Sequence, residues 1–267
     1  MTSESTFQPV KSADRALAVL ERLAATRSRR TLSELSRELN IPISSLHSIL
    51  RTLQRRMWVE ADETGTRFGI GVQALTVGSA YVQTDDVVAR AQPVLDWLNE
   101  QTGETVHYGR LEGSHIVYLA KRESHYQLRI YSAVGRRIPA HATALGKAIL
   151  AEYGDDEVRG LLTWPLPTLT SKTRSDAAAL LRDLATARRL GYATEKEESD
   201  TGLGCLAVAV PDWRRVRDAI SLAVPTARLG RERRAELAEL LLTARNTLRE
   251  RMTGQAREDG GFLRILE

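Results

Sequence analysis

Residues 31–56 read TLSELSRELNIPISSLHSILRTLQRR, a stretch that encodes two helices separated by a tight turn. Thr31 is an N-cap, and Glu34, three residues on, completes a capping box in which each side chain takes the other residue's backbone N–H. Leu32, Leu35 and Leu39 then share one side of a helix over 32–39. Asn40-Ile41-Pro42 breaks it: asparagine tolerates left-handed backbone, and proline suits the first turn of a new helix. The second helix spans about Ile43 to Arg55, with Leu46, Ile49, Leu50 and Leu53 turned inward at i, i+3, i+4 and i+7. Its other face carries Ser44, Ser45, His47, Ser48, Arg51 and Arg55. Small hydroxyls and an imidazole at the start, with arginines further along, suit a helix whose N-terminal end enters a major groove. Serines approach phosphates closely, and a free helix N-terminus attracts an anion. On sequence alone, Ser44 and Ser45 serve equally well as caps of that helix.

Working outward, Ser12 to Ala25 carries Ala13, Ala16, Leu17, Leu20, Leu23 and Ala24 at helical spacing, and the polar Arg27 to Arg30 ends that pattern. Downstream, Trp58 to Ala61 and Thr66 to Ile70 are short strand candidates joined by the turn Asp62-Glu63-Thr64-Gly65. A hairpin after a third helix is a wing, and Arg67 stands on it, within reach of DNA backbone or minor groove, or as a plain solvated charge. Between Arg27 and Arg56 seven arginines face Glu34 and Glu38, a local net of +5, whereas Asp85 to Met252 holds 25 basic and 23 acidic residues. Clustered cations of this kind bind polyanions through counterion release, although a solvated basic face has the same composition.

The rest of the chain sets bounds. Its 267 residues allow more than one domain, and no apolar run is long enough to span a bilayer. The single cysteine, Cys205, and a start without a basic-then-apolar pattern fit the reducing cytoplasm. Val72 to Val82 forms an apolar linker helix, and Asp85-Asp86 opens a longer one to Thr102, with Pro93 inside and Gly103 at its end. Strand candidates follow at Thr105–Arg110, His115–Ala120, Leu128–Ser132, Gly191–Glu195, Cys205–Val210 and Ala219–Val224. Helices are expected at Thr143–Tyr153, Asp155–Leu162, Asp176–Leu190 and Gly230–Arg251, giving an α+β domain. The polar, Gly-rich segment Thr253 to Glu267 reads as a flexible tail.

Several stretches carry a resemblance. Arg15-Ala16-Leu17, Leu32-Ser33-Glu34-Leu35, Ile41-Pro42, the Leu46 to Leu53 helix and Arg67-Phe68-Gly69-Ile70-Gly71 resemble the start of IclR-family regulators. One departure is Met57-Trp58, where the family usually has glycine and then an aromatic. In the second half the matching stretches are Gly103-Glu104-Thr105-Val106, the run from Val134 to Ala148, Arg188 to Ala193, and Glu197 to Ala207. Together they cover roughly Val10 to Met252. The resemblance implies an IclR-type winged helix-turn-helix over 10–71, a linker helix over 72–85 and a GAF-like α+β effector-binding domain over 86–252. It implies a repressor rather than an activator, partnered by double-stranded operator DNA and a small-molecule effector, and assembled as a homodimer or dimer of dimers. No cofactor, metal or membrane is expected. The DNA-facing candidates are Thr31, Ser44, Ser45, His47, Ser48, Arg51, Arg55 and Arg67.

The resemblance also implies an effector pocket formed by Ile130, Ile138, Ala144, Leu145, Glu195, Leu203, Cys205, Ser221 and Ala223. Thr143 is placed to cap the helix beginning at Ala144, so that the amides of Ala144, Leu145 and Gly146 face an anion such as an organic acid; tight helix–sheet packing reads the same way. Alanine at 223, where the family often has a small polar residue, makes that wall less polar. The rival class is an enzyme with Cys205 as nucleophile and His141 as base. Against it, Cys205 lies in an apolar strand that disfavours a thiolate. Gly146-Lys147 lacks the flanking residues of a phosphate loop, and the five histidines have no metal-ligand spacing.

Overall fold

A computed structural model describes residues 8–26, 28–127, 132–210 and 215–252. Arg27, Ile130 and all but Ser132 of the strand candidate at 128–132 lie outside these, as does the segment 253–267. The chain divides into two compact units, Met1–Thr84 and Asp85–Glu267.

The first unit contains α1 (Lys11–Ala25), β1 (Arg30–Thr31), α2 (Leu32–Leu39), α3 (Ile43–Arg55), β2 (Val59–Ala61), β3 (Arg67–Ile70) and α4 (Val72–Gln83). The capping box forms: Glu34 N–H donates to Thr31 Oγ1 at 3.2 Å, and Thr31 N–H to Glu34 Oε2 at 2.7 Å. Asn40 takes the left-handed conformation at φ 50°. The core joins Val19, Leu23, Leu35, Ile41, Leu46, Leu50, Leu53, Val59 and Phe68. Two expectations need correcting. The buried side of α1 runs through Val19, which is 0% exposed, while Leu17 is 60% exposed. Arg30–Thr31 is also a strand, pairing antiparallel with β3 in a sheet of order β1-β3-β2. Two residues are too few to display a period of two.

The departure at Met57 has a geometric reading. Met57 sits at φ +59°, the left-handed region that glycine enters without strain. Its carbonyl accepts the Gln73 N–H at 3.1 Å, and Gly71 N–H donates to Trp58 O at 2.9 Å. The end of α3 and the start of α4 are thereby bonded together. A Cβ on Gly71 would stand 2.3 Å from Met57 O.

The second unit contains α5 (Asp86–Thr102), β4 (Thr105–Glu112), β5 (His115–Arg122), β6 (Arg137–Pro139), α6 (Ala144–Leu150), α7 (Asp155–Leu161), α8 (Ala177–Leu190), β7 (Ala193–Lys196), β8 (Leu203–Val210), β9 (Asp218–Pro225) and α9 (Arg231–Met252). Pro93 is accommodated inside α5, and Gly103 at φ +67° ends it. The six strands form one antiparallel sheet of order β6-β5-β4-β9-β8-β7. β9 is buried along its whole length, and β4 and β8 nearly so. Arg110 on β4 is buried and donates through Nε to Asp218 on β9 at 2.6 Å and through its Nη atoms to Asp85, which also caps α5 through the N–H groups of Val87 and Val88. β6 was not foreseen from the sequence: three residues beginning with arginine and ending in proline carry no strand signal of their own.

Met57→Gly is expected to raise the stability of the first unit by about 1 kcal/mol. Relief of left-handed strain, on the order of 1–2 kcal/mol, is partly offset by the greater freedom of glycine in the unfolded chain. Gly71→Ala is expected to cost about 1–3 kcal/mol through overpacking against backbone. Hydrogen exchange at the α2 and α3 amides reads both; shifts of the opposite signs would overturn the account.

Candidate functional site

The first group of candidates lies on α3. Ser44, His47, Ser48, Arg51 and Arg55 are exposed, and Ser45 is half-buried. The N-cap is Pro42, which makes no side-chain cap bond, so the two serines lie inside the first turn rather than capping it. Among the described residues no ion pair or side-chain hydrogen bond engages Arg51 or Arg55. Ser48 Oγ donates to the Ser44 carbonyl at 3.2 Å. Thr31 differs from the expectation: its hydroxyl is occupied by the capping box and also donates to Glu34 Oε2 at 3.1 Å. Arg67 is exposed on β3, with one long contact from Nη1 to the Arg29 carbonyl at 3.5 Å.

The second group converges on a cleft over the second unit's sheet. Register explains how. Glu195 on β7 stands opposite Cys205 on β8, Cys205 opposite Ala223 on β9, and Ala223 opposite Thr105 on β4. The parallel row two residues along is Ala207, Ser221 and His107. Above these rows stand Ala144 and Leu145 at the start of α6, with Thr143 capping α6 through the Gly146 N–H at 2.9 Å. The cap occupies the Gly146 amide, so of the three expected amides only those of Ala144 and Leu145 remain for a ligand. Seven of the nine candidates line this cleft: Ala144, Leu145, Glu195, Leu203, Cys205, Ser221 and Ala223. Ile138 does not; it is buried in the core on β6, paired with Ile116. Ile130 lies outside the described residues. The sequence reading missed Thr105, His107, Tyr118, Ser132, Arg136, Ser199 and Asp200, which also line it. For Thr105 and His107 the signal is alternation along β4, usable only once its partner strand is known.

The cleft is narrow. It contains about 440 Å³ counted out to open solvent, while its enclosed part has room for about one or two water molecules. His107 stacks on Tyr118 with ring centroids 4.5 Å apart, and its Nε2 lies 2.7 Å from Ser132 Oγ. Burial, helped by Lys121 and Arg136, pushes the His107 pKa down to about 3, so the ring is neutral. Burial likewise raises the Tyr118 phenol and the Cys205 thiol. Glu195 is pushed up to about 7 by burial, against the opposing pull of its hydrogen bonds from the Glu198 amide and Cys205. Arg136 and Asp200 form an ion pair at 3.6 Å. Lys147 on α6 is 1% exposed, and its Nζ donates to Asp183 at 2.7 Å and to Glu198 at 2.5 Å, tying α6 to α8 and to the segment after β7.

Residues 12–63 match the IclR helix-turn-helix domain, and residues 79–249 match the C-terminal domain of the bacterial transcriptional regulator IclR. The chain belongs to the IclR family. It is 34% identical over 239 residues to the HTH-type transcriptional regulator XynR of Escherichia coli, spanning 88% of this chain and 94% of that protein. It is 33% identical to the HTH-type transcriptional repressor AllR of the same species, over 89% of this chain and 87% of that one. Its fold matches the crystal structure of an IclR transcriptional regulator from Alicyclobacillus acidocaldarius, at a TM-score of 0.79 and 24% identity, covering 90% of this chain and 98% of that one. An IclR-family chain is a ligand-modulated, DNA-binding transcriptional regulator with an N-terminal helix-turn-helix and a C-terminal effector-binding domain.

Cys205 lines the cleft with a thiol whose pKa is raised, and His141 is not among the described residues lining it. Instead His141 Nε2 meets the Pro167 carbonyl at 2.9 Å. Among the described residues no group of three or more His, Cys, Asp or Glu is arranged to hold a metal ion, and no helix is long and apolar enough to cross a membrane.

Lys147→Met strands Glu198 in the interior without its cation and is expected to cost about 3–5 kcal/mol. Adding Glu198→Gln is expected to recover part of that loss. Denaturant unfolding of the two variants checks this; a single-variant cost below about 1 kcal/mol would show that the ion pair does not anchor α6.

Proposed function

We propose that this IclR-family regulator is a repressor, working in the cytoplasm on double-stranded operator DNA, that is released when a small organic acid enters the cleft. The observation that supports the ligand class is the composition of the cleft. Neutral hydroxyl and imidazole groups of Thr105, His107, Ser132 and Ser221 surround an apolar floor, with Arg136 at one wall and the Ala144 and Leu145 amides above. Such a site holds a carboxylate at one end and packs its carbon skeleton at the other. The enclosed space is small, so the ligand enters by widening the cleft. It changes DNA affinity to the extent that it binds two conformations differently, typically by about 1–3 kcal/mol of coupling.

On the DNA side, Ser44, Ser45, His47, Ser48, Arg51 and Arg55 on α3 are the proposed reading and phosphate contacts, with Arg67 reaching out from the wing. Thr31 contributes by fixing α2 rather than by offering a donor. Footprinting with the purified protein identifies the operator. On that site Arg51→Ala is expected to cost about 1–3 kcal/mol, as for a bidentate base contact, with little change on random DNA. Ala144→Trp, which fills the space above the cleft floor, is expected to bind the operator normally and to lose its response to a panel of organic acids. Gel shifts check both; a Trp variant that responds as wild type would overturn the ligand reading.

Assembly as a homodimer, or a dimer of dimers, is supported by α4. None of its residues is buried, and Val72, Leu75, Val77 and Tyr81 are exposed, Leu75 at 72%. A single winged helix offers little interface for tight operator binding, so paired half-sites are expected. Leu75→Glu is expected to shift the protein toward monomer and to weaken operator binding at least tenfold. Light scattering alongside gel shifts tests this, and a monomer that keeps full affinity would sink the idea.

A further inference from the structure

We propose that Glu195 is a proton carrier built into the ligand cleft: it is neutral when the cleft holds an anion, so wherever the free carboxyl is ionised, anion binding takes up one proton. The inference rests on the reading of the cleft as an organic-acid site. Glu195 is 3% exposed at the β7 end of the row that crosses to Cys205, Ala223 and Thr105. Its Oε2 accepts the Glu198 N–H at 2.9 Å, and its Oε1 accepts the Ser199 hydroxyl at 3.3 Å. Among the described residues no cation forms an ion pair with it. The cations nearby are already engaged by other carboxylates: Lys147 from α6 by Asp183 and Glu198, and Arg136 from the segment before β6 by Asp200.

The other titratable groups around Glu195 leave it exposed to any incoming charge. Cys205 from β8, Tyr118 from β5 and His107 from β4 are all held in their neutral forms. Glu198 from its own connecting segment adds negative potential, and Lys147 offsets it. A carboxyl buried without a cation already favours its proton, and burial pushes that of Glu195 up to about 7. A carboxylate ligand seated in the same cleft is a second like charge at close range in a poorly hydrated space. Two such carboxyl groups share one proton rather than ionise together. The balance is one proton, taken from solution onto a Glu195 carboxylate oxygen, with no other bond made or broken.

The sign follows from linkage. At a pH well below 7 Glu195 is already protonated and anion affinity is flat. As pH rises through 7 the proton must be recruited, and affinity falls about tenfold per pH unit.

Two measurements on the full chain test this. Carbon-13 NMR of the glutamate carboxyls, with the Glu195 signal assigned by its loss in Glu195→Gln, is expected to show a midpoint near 7; a midpoint at the ordinary glutamate value overturns the inference. Calorimetry from pH 6 to 9 with a panel of small monocarboxylates, acetate to benzoate, all ionised throughout that range, is expected to show the tenfold slope in wild type. Repeating it in buffers of different ionisation enthalpy counts the proton. Glu195→Gln is expected to bind with no slope. A carboxylate that binds wild type with a flat pH profile overturns the proton uptake and leaves the organic-acid reading intact. Absence of binding by every carboxylate at pH 6, where Glu195 is neutral, overturns both.

Discussion

The antiparallel pairing of β9 between β4 and β8 is the constraint on which the second unit depends. β4 and β8 lie about a hundred residues apart in sequence, and β9 pairs with both, one on each edge, through unbroken registers. With that register fixed, residues separated along the chain fall into rows: Glu195, Cys205, Ala223 and Thr105 in one, Ala207, Ser221 and His107 in the next. Because side chains alternate along a strand, a one-residue slip would send each row to the opposite face. Many floor residues are small, which lets α6 come close enough to roof a cleft rather than a gap. Gly109 on β4 marks how close: a Cβ there would stand 3.0 Å from a methyl of Leu145 on α6.

Charge is arranged around this floor by a consistent rule. Ion pairs that stitch elements together sit off the rows. Arg110 bonds Asp218 and Asp85, fixing the start of α5 to the sheet, and Lys147 bonds Asp183 and Glu198 behind α6. Of the groups facing the cavity, His107, Tyr118 and Cys205 are titratable side chains held neutral by burial, and the charged Arg136 is paired with Asp200 at the wall. A binding space floored by neutral donors and acceptors discriminates by hydrogen-bond geometry and shape. A buried ion pair at the floor would instead demand an equally charged ligand to offset its desolvation.

What could be read from the sequence follows from how local each signal is. The capping box at Thr31 and Glu34, the left-handed Asn40 and the inward leucines of α3 are determined by residues within one or two turns of each other, and they appear as expected. On α1 the leucine stripe misleads, because Leu17 is exposed while Val19, one position off that stripe, joins Leu35 and Leu46 in the core cluster. β1 and β6 exist only because a partner strand supplies hydrogen bonds to two or three residues with little strand preference of their own. The cleft divides the same way. Residues carried by recognisable motifs, such as Ala144, Leu145 and Cys205, were named. Thr105, His107 and Arg136 enter through sheet register and a turn, neither of which is written in the local sequence. Ile138 has the right chemistry for a pocket wall but belongs to the core beneath it.

The bonded junction between Met57, Trp58, Gly71 and Gln73 makes the end of α3 and the start of α4 one mechanical piece. The wing hairpin loops out from that junction and returns to it, so its length is decoupled from the orientation of the two helices. Over evolutionary time, such a chain is free to lengthen or recharge its wing without re-aiming α3. The orientation of α3 is instead inherited from the first turn of α4, to which its end is bonded.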